Sequence, residues 1–160
     1  MELLDVLAPV PVSRHALIRF ETARPTEFID LTDRLQQLVE RTRIHCGILN
    51  VQTLHTTTAV IVNELEPLLL DDFSTLLEDA APRDAAYRHD DLRCRTVNLT
   101  PEERVNGHAH CRALLLGSAV SLNIVDGRIR LGQWQRVLMV ELDGPRTREV
   151  SVVVMGEKRS

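Results

Sequence analysis

Three of the six histidines stand beside other groups able to do chemistry. His55 opens the run "HTTTAVIVNE", which passes through Thr56 and closes on Asn63 and Glu64; His89 lies in "YRHDD", next to Arg88; His110 lies in "HAHCRALLLG", two places before Arg112. An imidazole changes charge near neutral pH and also ligates metals, so such a set suits acid–base work or a zinc-type centre with an open position. The separations of 34 and 21 residues match no short metal motif, so any common site has to be assembled by the fold. Asp72 follows Leu69 by three residues and precedes Leu76 by four, which sets a carboxylate on an apolar helical stripe, where it needs a cation or donor opposite. Ala113, Leu114 and Gly117 follow His110 at helical spacing and turn it inward, whereas His108, about 200° away, points outward.

Composition removes several functions. The chain has 160 residues, 44% of them apolar, which suits one domain spanning 1–160. Its formal charge of −4 is spread without a basic stripe, and aromatic residues are scarce, so neither nucleic acid nor an anionic membrane is an expected partner. Three cysteines without a C-x-x-C pair argue for a reducing compartment. The N-terminal "MELLDVLAPVPVS" has neither the basic start nor the apolar length of a leader or a membrane span, so a cytoplasmic location is expected. Walker, dinucleotide-binding, serine-elbow and H-E-x-x-H motifs are all missing from the sequence.

The elements that must position these residues follow from pattern. Strands over 14–22 and 27–31 around Pro25 read as a hairpin, and a helix follows with Thr32 as its cap and Leu31, Leu35, Leu38, Val39 and Thr42 on one face. The stretch 47–63 reads as strand, too long to run straight, with a bend or turn at the threonines beside His55. A helix starts at Pro67 with Leu69, Phe73, Leu76, Leu77 and Ala80 as its stripe; a long polar loop follows; a third helix covers 106–116 and stops at Gly117 as a left-handed residue. Beyond it, Asp126-Gly127 is a type I′ hairpin signal and Asp143-Gly144 a weaker one. The class is α+β, an antiparallel sandwich or meander carrying two to three helices.

"HTTTAVIVNE", "YRHD", "AHCRALLLGSAVSL", "GRIRLGQWQ" and "ELDGPRTREVSVVVMG" occur in the order and approximate spacing of the YjbQ-like secondary thiamine-phosphate synthase family, which the chain resembles over nearly its whole length. The resemblance implies a homotrimer with a polar pocket near a subunit boundary. It also implies a weak activity that joins a pyrimidine diphosphate to a thiazole phosphate with release of pyrophosphate. It matches His55, His89, His110, Asp72 and Glu64 to catalytic positions, and Asn63 to the family's N-E pair. "NELEP" is one residue shorter than the family's "NENxDP". A phosphate-handling site of this kind would use Thr56, Asn63, Arg88, Arg112 and Arg146 to hold substrate, with Mg²⁺ brought by Asp72 and Glu64. Two other readings stand beside it: a hydrolase or lyase with zinc or another transition metal on His55, His89 and His110, and a trimeric protein that binds a small anion without turning it over.

Overall fold

Alternation governs the longest strand of the computed structural model, which describes residues 11–158. In Thr147–Lys158 the side chains of Arg148, Val150, Val152 and Val154 are buried while those between them are not, as the two-residue period of a strand requires. The first ten residues, which carry most of the segment read above as neither leader nor membrane span, lie outside the described residues. The elements run β1 (Pro11–Glu21), β2 (Glu27–Asp30), α1 (Thr32–Thr42), β3 (Ile44–Thr53), β4 (Thr58–Glu64), α2 (Pro67–Ala80), a 3₁₀ turn (Arg88–Asp90), α3 (Gly107–Leu116), β5 (Ala119–Val125), β6 (Arg128–Ile129), β7 (Gln135–Glu141) and β8 (Thr147–Lys158).

Two antiparallel sheets result, one ordered β1-β8-β3-β5-β6 and the other β2-β7-β4. The α+β class is as expected, but the connections are not those of a meander. Among the described residues only β5 and β6 are hydrogen-bonded neighbours consecutive in sequence, and every other step from strand to strand crosses from one sheet to the other. The expected hairpin around Pro25 is therefore absent: β1 pairs with β8 and β2 with β7. Asp143-Gly144 is likewise a corner between sheets, whereas Asp126-Gly127 makes the expected tight hairpin, both residues at positive φ and Val125 opposite Arg128. The long 47–63 stretch breaks at residues 54–57 between β3 and β4.

The main core lies between the sheets, where Leu49, Val51, Val150, Val152 and Val154 meet Val60, Val137 and Met139, and α1 adds Leu35 and Val39. Burying each such side chain contributes about 1.5–3 kcal/mol. A second cluster, Ala59, Leu77, Ala109, Val140 and Leu142, packs α2 and α3 on the other face of the small sheet. Thr32 is not the cap of α1: it is the first helical residue, its hydroxyl accepts from the Val137 N–H, and the Asp30 carboxylate accepts its own N–H. Glu66 caps α2 by accepting from the N–H groups of Leu68 and Leu69, so the shortened "NELEP" still opens a helix. Gly117 ends α3 at φ 89° and ψ 161°, a glycine conformation outside the left-handed helical region. Among the described residues, no helix is long and apolar enough to cross a membrane.

Candidate functional site

Two sheet-crossing corners meet at one end of the sandwich and create the site. The β3–β4 corner carries His55, Thr56 and Thr57; the β7–β8 corner leads into Arg146 and Arg148. They are stitched together by backbone, since the Leu54 N–H donates to the Glu149 carbonyl at 3.3 Å and the Glu149 N–H donates to His55 Nε2 at 2.9 Å. The loop between α2 and α3 and the first turn of α3 close the other side with His89 and His110, whose rings meet edge to face at 4.5 Å. The open cavity between them measures about 510 Å³, and the three histidines of the sequence reading, with Thr56 and Arg146, all line it.

Beneath it sits a buried ion pair. Glu141 ends the apolar run of β7 at 0% exposure, and Arg148 heads the inward row of β8 at 2%. Arg148 Nε and Nη2 each donate to the Glu141 carboxylate at 2.6 Å, and Nη2 also donates to the Thr57 hydroxyl at 3.1 Å. The remaining carboxylate capacity is taken by the N–H groups of Leu142 and Asp143 and the hydroxyl of Thr22. Burial alone would raise the pKa of Glu141, but Arg148 and these donors outweigh it and hold the carboxyl below its ordinary value.

Hydrogen bonds set the tautomer of two of the three imidazoles. His55 Nε2 accepts from the Glu149 N–H, so its lone pair is used and the proton sits on Nδ1. His89 Nε2 lies 3.2 Å from Arg95 Nη1, and because a guanidinium only donates, that nitrogen is again an acceptor. Arg95 also holds Glu103 and the carbonyl of Asn98, so it pins both His89 and the loop that bears it. His110 has no hydrogen-bond partner among the described residues. Burial and then the neighbouring His89 push its pKa down; burial and then Arg148 do the same to His55. With Nε2 accepting, His55 and His89 each carry their proton on Nδ1, and neutral His110 adds one further N–H and one lone pair without a partner among the described residues. A metal held by all three histidines would have to displace the Glu149 N–H and the Arg95 guanidinium from the two Nε2 atoms.

Other residues singled out in the sequence lie elsewhere within one chain. Asn63 and Glu64 sit at the far end of β4, opposite Arg136 and Gln135, about 20 Å along the strand from the His55 corner. Asp72 is exposed on α2, where Leu76 is exposed as well, because that helix buries Leu77 and only half-buries Leu69, Leu70 and Phe73. Arg88 is exposed beside His89 and lines a neighbouring cavity. Arg112 is spent: its guanidinium is buried on the Glu78 carboxylate and the Ala81 carbonyl, joining α2 to α3. Residues that the sequence reading passed over complete the cavity, namely Arg95, Arg104, Asn106 and Arg148.

The facing of α3 is the reverse of the expected one at two positions. His108 is 1% exposed and Leu114 84%, because the helix buries Gly107, His108, Ala109 and Arg112. Neither ring nitrogen of His108 has a partner among the described residues, and burial followed by Arg83 and Arg112 depresses its pKa below the ordinary 6.5. His55, His108 and His110 therefore all bind protons more readily in the unfolded chain. Their contribution to stability is full above about pH 6.5 and is lost as pH falls from there through the lowered folded values. His108→Leu removes two unsatisfied nitrogens and one of these titrations. It is expected to raise stability by about 1 kcal/mol at pH 7.5 and by more at pH 5.5. Urea midpoints at the two pH values check this; an equal loss at both would mean that the imidazole makes a stabilising contact.

The chain is similar to a group of known proteins. Residues 16–157 match the family model described as "UPF0047 protein YjbQ-like". A UPF0047 protein of Archaeoglobus fulgidus is 39% identical over 135 residues, covering 84% of this chain and 96% of its own. One from Methanothermobacter thermautotrophicus is 38% identical over 136 residues, covering 85% and 87%. Among solved structures, a YbjQ-like protein of unknown function from Sulfolobus solfataricus superposes with a TM-score of 0.83 at 31% identity, covering 92% of this chain and 100% of that one. A hypothetical protein from Aeropyrum pernix gives 0.80 at 31%, covering 90% and 99%.

Proposed function

The chain belongs to the UPF0047 YjbQ-like family, and from that premise we propose that its histidine-lined cavity binds a small phosphorylated anion and catalyses release of diphosphate from it, as a thiamine-phosphate synthase does. The observation that carries this reading is the convergence of His55, His89, His110 and Arg146 on one cavity of about 510 Å³. Forked guanidinium groups and fixed imidazole N–H donors favour phosphate oxygens, and they do so most strongly as charge builds on a leaving group.

In this reading the thiazole nitrogen attacks the methylene carbon of the pyrimidine diphosphate. The carbon–oxygen bond breaks, and its electron pair leaves with pyrophosphate. His55 Nδ1–H and the arginines hold the phosphates. His110, neutral in the free cavity, gains a proton as the anion arrives, because negative charge favours the imidazolium, and returns it to the departing oxygen. Glu102, a carboxylate of the cavity wall not paired with an arginine among the described residues, would hold a Mg²⁺ ion, which would supply neutralisation of part of the diphosphate charge.

Assembly as a homotrimer in the cytoplasm belongs to the same proposal. Support comes from Leu17, Ile48 and Met155 on the outer face of the five-stranded sheet, from the exposed Leu114 and Leu115 of α3, and from three exposed free cysteines suited to a reducing compartment. A neighbouring copy is also the route by which Asn63, Glu64 and Asp72 could reach the cavity.

The test is incubation with a pyrimidine diphosphate, a thiazole phosphate and Mg²⁺, with thiamine phosphate and pyrophosphate both measured. Equimolar products that disappear in His55→Ala/His110→Ala support the reading. Product formation unchanged in that variant, or none at all, contradicts it.

A further inference from the structure

Among the described residues four arginines line the cavity, and they differ in what is left of them to meet a ligand. Arg148 is spent on Glu141, and Arg95 on Glu103, the Asn98 carbonyl and His89. Arg146 Nη2 forms an ion pair with Asp143 Oδ2 at 2.9 Å, and a third of the Arg146 side chain stays exposed. Arg104 is exposed and pairs with no carboxylate among the described residues; its guanidinium makes one hydrogen bond there, from Nη1 to the Asp143 carbonyl at 3.2 Å. It keeps its charge and most of its N–H donors.

Asp143 therefore tethers two guanidinium groups through two atoms of one residue, one group from the loop before α3 and one from the β7–β8 corner. It is 5% exposed and is tied to the start of α3 by Asn106, whose Nδ2 donates to Oδ2 at 2.9 Å. The two arginines also stand on a border. A second open cavity of about 630 Å³, running over Glu21, Pro145 and Thr147, shares Thr100, Glu102, Arg104 and Arg146 with the first. An anion longer than one phosphate can lie across that border and still touch both. Of the two cations, Arg146 is near enough to His55 for its charge to weigh on that imidazole.

We propose that Arg104 and Arg146 form a clamp for two linked phosphates, Arg146 on the phosphate nearer the histidines and Arg104 on the terminal one, with Asp143 as the positioning residue that holds both. This rests on the anion-binding reading above and deepens it: Arg104 becomes the residue that distinguishes a diphosphate ester from a monophosphate. Each guanidinium presents a fork that fits phosphate oxygens, and two forks on one anchor engage linked phosphates for a single loss of translational freedom. A lone phosphate at the histidine end gains nothing from the second fork.

The experiment titrates inorganic pyrophosphate and orthophosphate into the full chain, Arg104→Met and Arg104→Lys by calorimetry. No metal is added, so the affinities read the two arginines against the border carboxylates Glu21 and Glu102 alone. The unsubstituted protein is expected to bind pyrophosphate at least about tenfold tighter than orthophosphate. In Arg104→Met that preference closes: pyrophosphate affinity falls about tenfold or more, while orthophosphate affinity stays within about threefold. Arg104→Lys recovers part of the loss, because a point charge returns without the fork. No preference in the unsubstituted protein, a preference that survives Arg104→Met, or equal losses for both anions overturns the clamp and leaves the anion site standing. If neither anion binds the unsubstituted protein, the anion-binding reading falls with it.

Discussion

Arg148→Met is expected to lower the unfolding free energy by about 3–5 kcal/mol at pH 7.5, read as a shift of the urea midpoint with an unchanged slope. The size follows from burial: the substitution strands the Glu141 carboxylate at 0% exposure with no cation beside it. The sign of its pH dependence is fixed as well. With Arg148 in place, the Glu141 pKa is held below its ordinary 4.5, so the pair contributes stability above that value that is lost as pH falls through the lowered folded value. Without Arg148, burial drives the pKa the other way, and the deficit is expected to shrink as the pH approaches 5 and the carboxyl takes up a proton. Glu141→Gln/Arg148→Met should then cost less than Arg148→Met alone at neutral pH, because no charge is left buried. A deficit that stays the same from pH 8 to pH 5 would show that lost packing, and not the stranded charge, sets the cost.

His110→Ala is expected to reduce turnover by about 10²–10⁴-fold while pyrophosphate affinity falls much less. Nothing among the described residues hydrogen-bonds to this imidazole, so its removal strands no partner, and the fold should survive within about 1 kcal/mol. The pH–rate profile separates a catalytic part from a structural one. In the unsubstituted protein one limb should follow His110 protonation in the complex, and in the variant that limb should vanish. A variant that loses rate while keeping the limb would move the proton-transfer role to His89 or His55.

Much of the fold could be read from local patterns, because strand alternation in 147–158, the Asp126-Gly127 turn and the break at the threonines are written in a few adjacent residues each. Strand partnership could not. Each sheet is assembled from strands distant in sequence, so the hairpins expected at Pro25 and at Asp143-Gly144 were plausible locally and wrong globally. The histidines of the cavity were visible as chemistry, but their supports were not. Arg148 heads an alternating valine row and Glu141 ends an apolar run, and a charge at a core position of each is a signal that the two belong together. The reversal of α3 has a similar origin: His108 and Arg112, four residues apart, are the buried stripe, while Leu114, which looked like core, faces outward. Asn63, Glu64 and Asp72 lie away from the histidines in one chain, so sequence order says nothing of how they take part.

The most direct test of the anion-binding cavity is a calorimetric titration of inorganic pyrophosphate into the unsubstituted protein, His55→Ala and Arg146→Ala, repeated in two buffers of different ionisation heat. Saturable binding of one ion per chain with proton uptake is expected, weakened at least about tenfold in each variant. Absence of saturable binding, or equal affinity in all three proteins, would contradict it.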